Sequence, residues 1–313
     1  MSEITNTYNF IISPSPHFRS KQTIATMMRD TIIALVPAGV GAVVFFGWYA
    51  LLVILTSVLF AILSELFVNL LRKQQPTIWD LSCIITGILF AYTLPPRIPL
   101  WIVIIGIFVG IVFGKHVYGG LGFNPFNPAL IGRAFVHIAF PQNMGNFCYD
   151  TVTTATPLTI LKHFPEQISQ ISSISNLIIG NYPGCIGETS VILLLLGYIY
   201  LVARKHIFPL SPIIYLLTVG IITLLVDKNH FWIYMFSGGL FLGGIFMITD
   251  PVTTPVSIKG KIIFAVGCGI LTSIIRFWGS YPEGVCFSIL LMNLLTPLID
   301  QYTIRKKFGF KKV

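Results

Sequence analysis

The segment Asp150-Thr151-Val152-Thr153-Thr154-Ala155-Thr156-Pro157-Leu158 places four threonines in six residues. Hydroxyls clustered in this way cap turns and helix starts by bonding to nearby backbone groups. Other residues able to do chemistry lie within or beside apolar runs. Arg133 and His137 are four apart on one helical face, where they could hold an anion, line a polar path or pair with an acid elsewhere. Glu65 and Asp80 are expected to snorkel or to pair with Arg72 and Lys73, and Arg276 and Glu283 to pair with each other across a Gly-Pro turn. Asn124-Pro125-Phe126-Asn127-Pro128 and Asp250-Pro251 have the residue order of capped helix starts, whose exposed N–H groups suit an anionic or strongly polar ligand. Cys83, Cys148, Cys185, Cys268 and Cys286 show neither CxxC spacing nor a histidine at ligand distance, so no iron–sulfur, zinc or other metal site is expected.

The elements that must position these residues are membrane-spanning. Of 313 residues, 55% are hydrophobic and 10% charged, and the mean hydropathy is +0.83. Soluble domains carry about a quarter charged residues, so the composition predicts an all-α polytopic membrane protein. The net charge of +9 does not signal nucleic-acid binding, because the cations sit in short loops between apolar runs. Ten apolar stretches fall at 31–48, 49–70, 79–94, 99–114, 126–141, 188–203, 209–226, 231–249, 261–278 and 284–302. Several are short for a hydrocarbon core about 30 Å thick, and internal Gly and Pro predict tilted or broken helices.

With a cytoplasmic N-terminus, ten spans put fifteen Lys and Arg inside and three outside, which places both termini in the cytoplasm. The expected organisation is an N-terminal cytoplasmic segment (1–30), five helices (31–141), an outer loop (142–187), five more helices (188–302) and a basic tail (303–313). No signal-peptide cleavage pattern precedes the first span, which is expected to act as its own insertion signal. Gly-Gly pairs upstream of both Asn/Asp-Pro motifs suggest an old duplication into two five-helix repeats. Cys148 and Cys185 share the outer loop, where a disulfide and two free thiols are both compatible with the sequence.

The spacing Asp-x-x-Thr-x-Ala-Thr, ending at Thr156, resembles the flavinylation signal of the membrane subunits of sodium-pumping NADH:quinone reductase and of the Rnf ion-translocating electron-transport complex. Three further segments resemble the NqrB/RnfD family in the right order, and its Rnf branch most closely: Lys115 to Ala129, with its Gly-Gly and Asn-Pro pieces; Gly243 to Pro255, followed by Lys259-Gly260-Lys261; and Arg276 to Val285, with Asn293 and Pro297-Leu298-Ile299-Asp300 after it. The family pattern often has Gly where this chain has Thr151 and Thr154.

The resemblance implies FMN joined through its phosphate to Thr156, with Asp150, Thr153 and Ala155 belonging to the signal that a flavin transferase reads. A phosphoester needs only an accessible hydroxyl when a transferase supplies the activation, so no catalytic residue is implied in this chain. It also implies a subunit of an ion-translocating oxidoreductase in a bacterial inner (cytoplasmic) membrane, with membrane lipid around it. Partner subunits would bind NADH, ferredoxin-type clusters and a second covalent flavin, and a non-covalent riboflavin is a further expectation. No strand-linked glycine fingerprint for a nucleotide occurs here. The competing reading is a flavin-free channel or secondary transporter for a small polar solute, which broken helices and a repeat would also serve.

Overall fold

The computed structural model describes residues 22–304, apart from 146, 150, 151, 165, 167–172 and 189. Asp150 and Thr151, the first 21 residues and the basic tail from 305 onward therefore lie outside the described residues. The chain is helical almost throughout. In order, the elements are α1 (Ile24–Phe46), α2 (Trp48–Leu71), α3 (Ser82–Tyr92), α4 (Leu100–Ile111), α5 (Pro128–Ala139), α6 (Pro141–Gly145), α7 (Pro157–His163) and α8 (Ile174–Ile179). They continue with α9 (Val191–Ala203), α10 (Leu210–Val226), α11 (Phe231–Phe236), α12 (Leu240–Leu242), α13 (Ile258–Trp278) and α14 (Val285–Thr303). One short antiparallel hairpin, β1 (Phe147–Tyr149) with β2 (Val152–Thr154), departs from the all-α expectation. Its strands are three residues each, too short for periodicity to reveal.

Four helices, α1, α2, α13 and α14, are long and apolar enough to cross a membrane singly. The others fall short. α3 has 11 residues, a rise of about 16 Å at 1.5 Å per residue, which is roughly half the hydrocarbon thickness. The chain then turns and returns as α4, which a π-helical turn (Val112–His116) extends. The α3–α4 turn is covered from the other side, where Gly187 N–H bonds to the Tyr92 carbonyl at 2.9 Å and Ile186 N–H to that of Leu94 at 3.0 Å. Its backbone groups are thus satisfied by protein, as hydrocarbon requires.

The apolar run at 231–249 is likewise not one helix. It breaks at Ser237-Gly238-Gly239, where both glycines take positive φ (74° and 68°), and resumes as α12 and a second π-helical turn (Gly243–Met247).

Small residues let helix backbones approach closely where no hydrophobic gain is available between helices in lipid. A methyl at Gly132 of α5 would lie 2.7 Å from the Gly106 carbonyl of α4, and one at Gly110 equally close to that of Pro128. Helix starts follow the sequence in one case and not in the other. Asn127 caps α5 by accepting from Ala129 N–H at 3.0 Å, with Pro128 in the first turn. Asp250-Pro251, in contrast, begins no helix: Asp250 accepts from Val252 N–H (3.4 Å) and the Thr253 hydroxyl (2.9 Å) in a local turn, and α13 starts at Ile258 behind the cap Ser257. The intervening Thr-Thr-Pro stretch offers side-chain and proline alternatives to helical bonding, which explains the seven-residue delay.

Candidate functional site

Thr156 is the N-cap of α7. Its backbone is extended (φ −65°, ψ 154°), Pro157 occupies the first turn, and its Oγ1 accepts from Thr159 N–H at 3.3 Å. The same oxygen lies 2.8 Å from the Thr159 hydroxyl, and the side chain is buried. The β1–β2 hairpin leads directly into it, pairing Phe147 with Thr154 and Cys148 with Thr153. Thr153 and the half-buried Ala155 are thus in the strand and the linker that present Thr156. The Thr159 hydroxyl is thus the immediate partner of the Thr156 oxygen.

Two contacts fix α7 to the membrane helices. Leu158 is buried with a methyl against Gly238, so close that a Cβ there would meet it at 2.3 Å. Lys162 Nζ donates to the carbonyls of Arg276 (2.8 Å), Tyr281 (3.1 Å) and Ile275 (3.3 Å). Partial burial without an acid partner pushes its ammonium below the ordinary lysine range.

Under α7 lies a cluster of buried charges. Arg133 of α5 reaches Glu188 at 3.0 Å and also pairs with the carboxylate of Glu283. Arg276 does not bond that carboxylate. It donates to the Glu283 backbone carbonyl (2.8 Å) and to the carbonyls of Tyr234 (2.6 Å), Ser237 (3.1 Å) and Gly238 (3.1 Å). The expected Arg276–Glu283 ion pair is therefore replaced by a backbone cap. The break after α11 leaves carbonyls without helical partners, and guanidinium, with five donors in a fixed fork, can serve several at once. Glu188 has a simple sequence signal, an acid at the mouth of an apolar run, that the reading of ionisable residues passed over.

Cys185 is a free buried thiol, and the side chain of Cys148 lies outside the described residues. Burial pushes that thiol well above its usual range. Its sulfur and the Glu188 and Glu283 oxygens lie within 4.8 Å of one another, but Arg133 already occupies both carboxylates.

Beside this cluster a cavity of about 210 Å³ opens toward Thr159, walled by His137, Tyr281 and Phe287. Tyr281 and Phe287 stack at 5.0 Å and 26°, and His137 stands edge-on to Tyr281 at 4.9 Å. His137 Nδ1 is buried with no hydrogen-bond partner among the described residues.

At the other end of the bundle, Glu65 is paired with Lys115 (2.7 and 2.8 Å) and accepts from the Thr77 hydroxyl at 2.5 Å. This corrects the expected partners Arg72 and Lys73. The π-helical turn carries Lys115 into the interior, where it is 1% exposed and also donates to Ser82. Asp80 caps α3 through Ser82 N–H at 2.8 Å, and Arg72 donates to the His116 carbonyl. A cavity of about 70 Å³ adjoins this pair, lined among others by Lys115, Asn124, His206 and Asp250. His206 Nε2 bonds Asp30 at 2.7 Å while its Nδ1 is buried and unpartnered among the described residues.

Packed and interrupted helices, four of them long and apolar enough to span a bilayer, and a wide apolar exterior define an integral membrane protein. The chain belongs to the NQR2, RnfD, RnfE family, whose profile matches residues 11–309. It is similar to the D subunit of the proton-translocating ferredoxin:NAD(+) oxidoreductase complex of Clostridium ljungdahlii, at 44% identity over 97% of each chain. The D subunit of the Na(+)-translocating ferredoxin:NAD(+) oxidoreductase complex of Acetobacterium woodii is 42% identical over 98% of each chain. Its counterpart in the ion-translocating oxidoreductase complex of Escherichia coli is 32% identical over 97% of this chain and 99% of that one.

Proposed function

We propose that this chain is a membrane subunit of an Rnf-type ion-translocating electron-transport complex and carries FMN in phosphoester linkage on Thr156. Near full-length likeness to subunits named for ion-translocating ferredoxin:NAD(+) oxidoreductases supports the first part. The observation that carries the second is Thr156 itself, at the end of an Asp-x-x-Thr-x-Ala-Thr signal, with its oxygen one hydroxyl away from an aromatic-walled cavity. A bound flavin exchanges one or two electrons and so links one-electron centres to two-electron donors and acceptors. The protein's own part is to present the hydroxyl, anchor α7 through Leu158 and Lys162, and wall the site with aromatic and basic side chains. For Oγ1 to be esterified, its contact with the Thr159 hydroxyl must give way.

The finer assignments follow the same reading. The chain makes ten passes, several of them broken, with both termini in the cytoplasm of a bacterium and α7 on the outer side of the inner membrane; the fifteen-to-three basic asymmetry supports this. A flavin transferase matures it, and the partner subunits hold the NADH site, the ferredoxin-type clusters and a second covalent flavin. A non-covalent riboflavin belongs to the same reading. Because relatives of nearly equal identity are named for protons and for sodium, overall likeness does not select the ion.

Mass spectrometry of the tryptic peptide ending at Lys162, from cells containing the transferase, tests the central claim. The expected product is one FMN phosphoester on Thr156, with riboflavin extractable separately from the Thr156→Ala protein. An unmodified wild-type peptide would overturn the flavin reading and leave the flavin-free transporter, which the break at Ser237-Gly238-Gly239 also suits.

A further inference from the structure

We infer that the outer cavity walled by His137, Tyr281 and Phe287 receives the isoalloxazine ring of the flavin on Thr156. This rests on the reading of Thr156 above and adds which residues hold and orient the ring. Reach comes first: Thr159 both touches the acceptor oxygen, at 2.8 Å, and lines the cavity. A group on Thr156 Oγ1 therefore starts one side chain away from the cavity. The space is about 210 Å³, against 70 Å³ for the inner cavity, which is room for on the order of ten or more waters and so for a flat tricyclic group in their place.

The lining matches the two faces of the chemistry. A flavin has an extended π-surface, and the stacked Tyr281–Phe287 pair supplies a flat aromatic wall. Its pyrimidine edge carries carbonyl and N–H groups that need polar partners once buried. The lining offers such partners in His137, with its unpartnered Nδ1, and in Arg133. Its dimethylbenzene edge is apolar, and Met144 and Phe147 provide the matching surface. Gly145 lines the same space, and a Cβ built on it meets no atom within 4 Å. A side chain therefore fits at Gly145, on the exposed rim of the cavity.

The test uses the full-length, flavin-loaded protein in detergent, with covalent occupancy measured on the Lys162 peptide for every sample. Native-state flavin fluorescence and its quenching by iodide then report how the ring is held, independently of turnover. The expected wild-type signal is weak and insensitive to iodide. Per bound flavin, Tyr281→Leu should raise the fluorescence several-fold, and Tyr281→Leu and Phe287→Leu should each raise the iodide quenching constant several-fold. Gly145→Leu, which adds bulk at the cavity rim and removes none of its walls, should also raise the iodide quenching constant. If all three variants keep full occupancy and wild-type fluorescence and quenching, the ring lies elsewhere and the inference is overturned. An unmodified wild-type peptide would instead overturn the Thr156 assignment on which it rests.

Discussion

Replacing Arg276 by methionine removes the cap on the broken helix while keeping a long side chain of similar reach. Four backbone carbonyls, of Tyr234, Ser237, Gly238 and Glu283, lose their donor at once. Each buried acceptor left unsatisfied costs about 1–3 kcal/mol. The variant also avoids the burial of a charge, a cost that had to be met in the native protein and that offsets part of the loss. A net destabilisation of about 4 kcal/mol results, or a fall in Tm on the order of 10 °C for a chain of this size. Arg276→Lys retains the charge and three donors without the planar fork, so it should lose roughly half as much. Thermal unfolding in detergent, followed by static light scattering or a thiol-reactive dye on the buried cysteines, gives the ranking. A methionine variant as stable as wild type would refute the capping role, and would mean that water serves those carbonyls instead.

Thr156→Ala should abolish covalent flavin and cost about 1 kcal/mol through loss of the N-cap, whereas Thr156→Ser should keep the cap and part of the modification, as read by peptide mass and thermal unfolding. Thr159→Ala leaves the acceptor oxygen and the backbone N–H cap in place, so full flavin occupancy is expected, with a stability loss of about 1 kcal/mol; loss of occupancy would show that the Thr159 hydroxyl takes part in acceptance. Glu65→Ala strands Lys115 and should cost about 3–5 kcal/mol, and Lys115→Met in the same chain should recover most of it; additive losses in this double-mutant cycle would contradict a direct buried pair. Topology is open to reporter fusions: one after Val313 should be active only in the cytoplasm and one near Glu166 only outside, and signals on the same side would make the number of passes between them even instead of five.

Apolar runs were legible because hydrocarbon imposes them residue by residue, and each expected stretch contains helix. What happens within a run was less legible. Nothing in the hydropathy of 231–249 distinguishes a continuous helix from one that stops at Ser237; Gly238-Gly239 is tolerated in helices at about 1 kcal/mol each, and the decision belongs to Arg276, which is remote in sequence. Glu65 shows the same limit, since its partner depends on a π-helical turn that swings Lys115 inward. Around Thr156 the order of residues could be read directly. The cavity could not, because His137, Thr159 and Phe287 come from three separate elements and meet only on folding.

The cap on the broken helix also sets an order of events during synthesis. Gly238 enters the membrane region 38 residues before Arg276 is made, an interval of roughly 2–8 s at 5–20 residues per second. For those seconds the carbonyls at the break have no guanidinium, and hydrocarbon would not tolerate them. The nascent segment 231–247 must therefore wait beside water or the insertion machinery until α13 arrives. Only then can Lys162, made long before, close onto the carbonyl of Arg276. Docking of α7 is in this sense the last step of a sequence that begins at the break after α11.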